Sequence, residues 1–152
     1  MIKGVGVVVR RTRFGGAECP VARSVDEVGD WWSLLIVRDA FDGSRRFGEF
    51  QRSLGVAKNI LSARLKALTD NGILELVPAG AHNEYVLTSK GEALFPVIVA
   101  LRQWGEAFSF EPGEAHSELL DSRDGKPLQP LEIHAADGRI VTPAETEVRK
   151  LA

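Results

Sequence analysis

The segment of residues 45–72 constrains the fold of this chain more than any other. Two apolar stripes with the period of a helix run through it, one on each side of Gly55, which favours a break between helices. Asn71-Gly72 then supplies the left-handed cap that ends many helices. The pattern predicts two helices joined by a tight turn, which is a helix-turn-helix. The stripes consist of Phe47, Phe50 and Leu54, and of Leu61, Leu65 and Leu68.

The outward face of the second predicted helix carries side chains suited to DNA. When Leu61 points inward, the rotation of about 100° per residue places polar and small residues on the opposite face and basic residues on its flanks. Asparagine pairs with adenine, serine with several base edges, and alanine fits against a thymine methyl, whereas lysine and arginine hold phosphates. The predicted face comprises Asn59, Ser62, Ala63 and Lys66, with Lys58 and Arg64 on its flanks.

Charge is distributed unevenly along the chain. Residues 44–66, which include Arg45 and Arg46, carry six basic residues against the single acid Glu49. The formal net charge of the whole chain is only -2, and residues 106–152 are acidic, so any affinity for DNA depends on this asymmetry. The alternative is an amphipathic helix pair whose polar face is merely solvated, and charge alone does not separate the two interpretations.

A predicted hairpin follows the helix pair directly. Residues 73–77 and 84–88 have the composition of strands, and residues 78–83 form a cluster of turn-forming residues between them. A hairpin in this position is a wing. His82 and Asn83, near its predicted tip, are therefore further candidates for DNA contact.

An ordered series of motifs between Cys19 and Trp104 resembles the HxlR family of winged-helix transcriptional regulators. The order and spacing match over more than half of the chain, although no single motif is diagnostic. The resemblance implies a DNA-binding homodimer that regulates a neighbouring gene. The matching motifs are CPVARSVDEVG, the run from Trp32 to Ile36, RRFGEFQ, NILSARLKALTDNGIL, EYVLTSKG and the run from Ala100 to Trp104.

Trp31 departs from this family pattern, because HxlR relatives commonly have a small or basic residue there. We expect an ordinary, partly buried aromatic at this position. A place at a dimer interface or at the wall of a cavity is the alternative.

Cys19 precedes a predicted helix that begins near Pro20 and ends at Gly29. Backbone N–H groups at the start of a helix stabilise a thiolate, and Arg23 lies one turn further on. Several HxlR relatives sense oxidants or electrophiles through a cysteine at the matching position, so the resemblance makes Cys19 a candidate redox sensor. The alternative is a small, inert residue buried at the helix start.

A long helix is predicted from Ser89 to about Phe108, because Ser89 and Glu92 have the spacing of a capping box. Pro96 lies well inside it and predicts a kink. The apolar stripe is wider than one small core needs, and the resemblance implies a dimer seam with the N-terminal helix of each subunit. Packing within one monomer is the alternative. The predicted interface comprises Val21, Val25, Leu94, Ile98, Leu101, Trp104 and Phe108.

Three segments are predicted, in an α+β fold that is mainly α-helical. Residues 1–18 form a basic arm that either reaches DNA or is a solvated end. Residues 19–110 form the winged helix-turn-helix and dimerisation domain. Residues 111–152 form a small extension rich in β-hairpins, with turn signals at Asp124-Gly125 and Asp137-Gly138. The basic residues at the end of the arm are Arg10, Arg11 and Arg13.

Composition and missing motifs argue against several other classes of protein. One cysteine forms no intramolecular disulfide and no cysteine-based zinc site, which fits a reducing, cytoplasmic setting. His116 and His134 are too isolated to indicate zinc, so we predict no metal and no cofactor. No apolar run reaches the roughly 18 residues of a membrane span. Because GxGxxG, P-loop, HExxH and GxSxG motifs are also absent, we predict neither a membrane partner nor an enzyme.

Two functions from different classes remain. The first is a homodimeric transcriptional repressor that binds a palindromic operator through residues 57–70 and a wing around residues 78–84. Its partners would be double-stranded DNA, a second copy of the chain and an oxidant or small-molecule effector. The second is a winged-helix module that binds a protein without sequence-specific DNA binding. The basic face of residues 45–66 is the feature that discriminates between them.

Overall fold

The computed structural model describes residues 13–151, which form a helical domain with one hairpin and an extended tail. The predicted contacts of Arg10 and Arg11 with DNA lie outside the described residues, while Arg13 is exposed. No helix of residues 13–151 is both long and apolar enough to cross a bilayer. The elements are α1 (Pro20–Val28), α2 (Trp31–Phe41), α3 (Phe47–Leu54), α4 (Lys58–Asp70), β1 (Leu74–Ala79), β2 (His82–Leu87), α5 (Ser89–Glu92) and α6 (Phe95–Phe108).

The hydrophobic core lies where α2, α3, α4 and the hairpin meet. The inward stripe of α4 is completely buried, as its periodicity predicts, and it packs against Ile36, Val37 and Phe50. The rings of Phe50 and Tyr85 meet edge to face with centroids 6.3 Å apart, which joins α3 to β2. The core therefore fixes the hairpin relative to the helix pair. Its buried members are Val28, Ile36, Val37, Phe50, Val56, Leu61, Leu65, Leu68, Ile73 and Leu74.

The helix-turn-helix has the bounds that the sequence predicts. Gly55 ends α3 in the left-handed conformation at φ 61°, where a residue with a Cβ atom would be strained. At the other end of α3, the carboxylate of Glu49 accepts a hydrogen bond of 3.1 Å from the backbone N–H of Arg46. The single acid of the basic segment thus caps a helix.

The wing is longer than predicted and its turn is shorter. The hairpin pairs Pro78 with Asn83 and Ala79 with His82, so only Gly80 and Ala81 remain as the turn. Pro78 is accommodated because β1 is an edge strand of a two-stranded sheet. His82 and Asn83 consequently lie at the start of β2, where both are exposed, and not in the loop.

The single kinked helix predicted after the wing is wrong, because the chain forms two helices. Thr88 caps α5 by accepting a hydrogen bond of 3.1 Å from the backbone N–H of Gly91, and α5 ends at Glu92. Pro96 stands in the first turn of α6, where the backbone N–H that it lacks has no helical partner. The proline therefore starts a helix where a kink was expected.

The tail contains both predicted turns but little strand pairing. Each turn is closed by one isolated bridge, Leu120 with Pro127 and His134 with Ile140. Most tail side chains are exposed, so no apolar face stabilises longer strands. In the second turn, the backbone N–H of Arg139 and then its guanidinium lower the pKa of the Asp137 carboxyl below its ordinary value.

Candidate nucleic-acid interface

The outer face of α4 is exposed along its length, as the sequence predicts. Leu61, Leu65 and Leu68 point into the core, and the predicted base-contacting face points to solvent. This arrangement gives one rigid helix with a buried stripe and a free polar surface. The exposed residues are Lys58, Asn59, Ser62, Ala63 and Lys66.

The basic side chains of α4 differ in how firmly they are held. The ammonium of Lys66 forms an ion pair of 2.7 Å with Asp70 one turn away, and its side chain remains 76% exposed. Such a surface pair contributes little stability, so a phosphate can displace it. Arg64 is only 35% exposed, and its Nε lies 3.3 Å from the carboxylate of Asp30. The structure therefore ties Arg64 to the protein, and its contact with DNA stays a prediction.

The wing lies beside α4 and leaves a concave surface between the two. Lys66 and Thr69 of α4 and Leu76 and Tyr85 of the hairpin line this surface. The backbone carbonyl of Arg45 accepts a hydrogen bond of 2.7 Å from the N–H of Tyr85, which holds the start of the basic segment against β2. The α4 face, the wing and the Arg45 backbone thus belong to one continuous rigid unit.

The arginines that precede α3 lie at the edge of this unit. The guanidinium of Arg45 is 3.5 Å from the carboxylate of Glu84 on β2, and its side chain is 60% exposed. Arg46 is exposed at the N-cap of α3. Both side chains remain accessible to a phosphate backbone. Among the described residues, no group of three or more side chains is arranged to hold a metal ion.

Asp30 has a structural role at the start of α2. Asp30 caps α2 by accepting hydrogen bonds from the backbone N–H of Ser33 at 2.9 Å and from its hydroxyl at 2.6 Å, besides pairing with Arg64. Asp26 accepts a bond of 3.1 Å from the N–H of Phe14. The spacing from Asp30 to Ser33 is the signal that could have revealed the cap.

Glu27 likewise has a structural role, through a lysine far along the chain. The ammonium of Lys90 lies 2.8 Å from the Glu27 carboxylate and 2.8 Å from the backbone carbonyl of Asn71. These contacts join α1, the end of α4 and α5. The lysine of the EYVLTSKG motif therefore connects the N-terminal helix to the helix-turn-helix.

Cys19 occupies the N-cap of α1 and is exposed, so the expectation of a buried residue under the inert alternative is wrong. The guanidinium of Arg23 donates a hydrogen bond to the backbone carbonyl of Ala17. The structure therefore places an accessible thiol at a helix start, while it directs the arginine expected to assist it toward the preceding loop.

The predicted dimer residues fall into two groups. Leu94 and Ile98 are half-buried and pack against the core of their own chain. The remaining members are exposed, among them Trp104 at 63% and Phe108 at 73%, whose ring centroids are 5.5 Å apart. Trp31 is 74% exposed, so the expectation of a partly buried aromatic there is wrong. The exposed members of the predicted seam are Val21, Val25, Leu101, Trp104 and Phe108.

These features define a winged helix-turn-helix protein: a buried stripe on α4, a free polar face opposite it and a hairpin directly after it. Residues 27–112 match the family model described as HxlR-like helix-turn-helix. The chain belongs to the HxlR-like helix-turn-helix family of transcriptional regulators.

Individual relatives support this assignment. The chain is 38% identical over 133 residues to the uncharacterized HTH-type transcriptional regulator Rv3095 of Mycobacterium tuberculosis, covering 86% of this chain and 83% of the relative. The crystal structure of PA1607, a candidate transcription factor, superimposes with a TM-score of 0.88 at 52% identity, covering 91% of this chain and 99% of that one. The redox regulator HypR in its oxidized form has a TM-score of 0.55 at 30% identity, covering 59% of this chain and 96% of that one.

Proposed function

We propose that this protein binds a palindromic or near-palindromic DNA operator as a homodimer and represses transcription by competing with polymerase for the promoter. The observation that carries the proposal is the rigid α4, which exposes Asn59, Ser62, Ala63 and Lys66 directly opposite a fully buried stripe. A helix of this kind fits a major groove, where asparagine and serine contact base edges.

The positively charged groups around α4 would set the position of the protein on the duplex. Lys58 and Lys66 lie on the helix itself, and Arg45 and Arg46 lie beside the wing. Their contacts go to phosphates, which fix orientation without reading sequence. The wing would place His82 and Asn83 toward the flanking backbone or minor groove.

The homodimer supplies the second half of the operator. The exposed apolar side chains of α1 and α6 form the proposed seam, which would bury Trp104 and Phe108 against the partner. A two-fold dimer presents its two recognition helices to successive major grooves about 34 Å apart.

Substitutions on α4 test the proposal against a protein-interaction module of the same fold. On a retained genomic fragment, we expect Asn59→Ala to reduce discrimination between operator and competitor DNA, and Lys66→Ala to weaken binding to all DNA. Lys126→Ala is the matched control, because Lys126 is an exposed lysine in the tail. If both α4 variants bind DNA like the control, the protein-interaction module is favoured.

Redox control through Cys19 is a second part of the proposal. It is supported by the exposed position of the thiol at the N-cap of α1 and by the likeness to HypR, which is described as a redox regulator. We expect peroxide or a quinone to change the DNA affinity of the wild type and to leave Cys19→Ser unchanged. An equal response of both proteins would contradict this role.

A further inference from the structure

A cavity of about 260 Å³ opens between α2, α6 and the first residues of the tail. Its apolar walls are formed by Leu34 and Leu35 of α2, by Ile98 and Leu101 of α6, and by Phe110 just after α6. Small-molecule sites in proteins occupy about 300 to 1,000 Å³, are largely apolar and contain a few polar groups that fix orientation. This cavity is therefore close to the lower end of that range.

Two arginines line the same cavity, and each has a guanidinium nitrogen that donates no hydrogen bond to residues 13–151. Arg38 directs Nε and Nη2 to one carboxylate oxygen of Asp39, at 2.9 and 2.8 Å. Arg102 directs Nη1 to the backbone carbonyl and hydroxyl of Ser117, at 3.1 and 3.0 Å. Within residues 13–151, Nη1 of Arg38 and Nη2 of Arg102 have no hydrogen-bond partner. The Arg38 and Arg102 side chains are 34% and 21% exposed, so both are partly buried.

We propose that this cavity binds a small organic carboxylate with an apolar body, and that the bound ligand regulates DNA binding. Planar guanidinium groups bind carboxylates through paired, charge-assisted hydrogen bonds. The free donors of Arg38 and Arg102 would receive the acid group, and Leu34, Ile98 and Phe110 would enclose the apolar body.

The charges around the cavity favour an anion over a cation. Arg38 and Arg102 line it with one acid, Glu106, whose carboxylate lies 4.0 Å from Nη1 of Arg102. Asp39 is buried and does not line the cavity; its Oδ1 accepts both hydrogen bonds from Arg38, and its Oδ2 has no hydrogen-bond partner within residues 13–151. The lining side chains alone therefore present two guanidinium groups against one carboxylate, and the charge that balances Arg38 lies on Asp39, behind the lining.

Residues that follow α6 supply one side of the cavity. Phe110, His116 and Ser117 close one side of the cavity. The side-chain amide of Gln103 on α6 donates to the carbonyl of Gln129 at 3.0 Å and accepts from the N–H of Leu131 at 2.7 Å. The tail is therefore fastened along α6 by hydrogen bonds, and it supplies one wall of the site.

The position of the cavity explains how occupancy would reach the DNA-binding surface. On one side is α2, whose N-cap Asp30 pairs with Arg64 of α4. On the other side is α6, which carries the proposed dimer seam. A ligand wedged between α2 and α6 would change the separation of the two recognition helices. This regulatory consequence rests on the proposed function, whereas the ligand site itself does not.

Calorimetric titration of the full-length protein tests the ligand site directly. The probe is 2-naphthoate, and its neutral counterpart is 2-naphthamide. We expect the amide to bind at least tenfold more weakly than the acid. We expect Arg38→Met to weaken naphthoate binding at least tenfold, and Arg123→Met, an exposed arginine of the tail, to leave it unchanged.

A second variant keeps the test decisive if Arg38→Met fails to fold. Gly105 lines the cavity on α6, and a Cβ atom added there meets no heavy atom within 4 Å. Gly105→Leu therefore adds bulk at the cavity from a position where a Cβ atom has room, and it changes no charge, so we expect it to weaken naphthoate binding at least tenfold. Equal binding of acid and amide, or unchanged binding in Gly105→Leu, would overturn the proposal.

A mobility shift with and without 2-naphthoate then tests the regulatory part. We expect the apparent Kd for an operator fragment to change at least threefold in the wild type and not in Gly105→Leu. Naphthoate binding without any change in the Kd for DNA would contradict the regulatory part of the proposal and would leave the ligand site supported.

Failure of the ligand-free protein to bind DNA would contradict the proposed function and would not affect the calorimetric result. If naphthoate binds only after the chain is made monomeric, a second copy fills the cavity and the proposal is wrong.

Discussion

Asp30 is the N-cap of α2, and it also contacts Arg64 of α4. Its carboxylate caps α2 through Ser33 and also lies 3.3 Å from Nε of Arg64. Loss of an N-cap costs about 0.5 to 2 kcal/mol, and a partly exposed ion pair adds at most about 1 kcal/mol. We therefore expect Asp30→Ala to lower the free energy of unfolding by about 2 kcal/mol in urea titrations.

Two matched variants separate the contributions of Asp30. Asparagine also caps helices, so Asp30→Asn should keep most of the stability while it removes the charge that faces Arg64. Asp42→Ala changes an exposed acid at the other end of α2 and should shift stability by less than about 0.5 kcal/mol. An Asp30→Ala protein as stable as Asp42→Ala would contradict the structural role of Asp30.

At the scale of single residues, periodicity predicted which side of α4 is buried because the pattern is local. It could not predict the partners of Glu27 and Asp30. The lysine that pairs with Glu27 lies 63 residues away in the sequence, and only the folded chain brings the two together. The exposure of Trp31 was missed because two adjacent tryptophans at a helix start do not show which of them packs inward; here the partly buried Trp32 does so and Trp31 does not.

At the scale of elements, the break between α5 and α6 makes a prediction about Pro96. A proline in a helix interior costs about 3 kcal/mol, whereas one in the first turn costs almost nothing. Because Pro96 stands in the first turn of α6, we expect Pro96→Ala to change the free energy of unfolding by less than about 1 kcal/mol. A gain of about 3 kcal/mol in urea titrations would instead support the single kinked helix.

The bounds of most elements follow from signals that the sequence carries. The helices α3 and α4 end as predicted, because Gly55 and Gly72 follow them in the left-handed conformation, which favours glycine. The length of the wing was underestimated because turn-forming residues such as Pro78 and Asn83 also fit an edge strand. The tail strands were overestimated because the turn signals do not show whether an apolar face exists to receive them.

At the scale of the whole molecule, the proposed seam makes a prediction about assembly. Trp104 is 63% exposed on α6 beside Phe108. Since a charge buried in an apolar interface is costly, we expect Trp104→Glu to be monomeric and the wild type dimeric in sedimentation equilibrium. Val148→Glu is the control, because Val148 is 86% exposed in the tail and outside the seam. A dimer that survives Trp104→Glu would place the interface elsewhere.

The asymmetry of charge is a property of the whole chain that can be counted directly from the sequence. A net charge of -2 conceals a basic segment of residues 44–66 and an acidic one of residues 106–152. The structure shows in addition that some of these basic side chains form ion pairs within the chain: Arg64 pairs with Asp30, and Lys66 pairs with Asp70. A phosphate can displace the exposed pair of Lys66 more easily than the half-buried pair of Arg64, so we expect Lys66 rather than Arg64 to contact phosphate in the proposed complex.

The most direct test of the central claim is a mobility shift of the wild-type protein on genomic fragments, including its own promoter, at about 50 and about 200 mM salt. We expect a few fragments to be retained against excess competitor, with affinity that falls steeply between the two salt concentrations because phosphate contacts release counterions. Weak binding to every fragment, or an affinity that does not depend on salt, would contradict the account of this protein as a sequence-specific DNA-binding regulator.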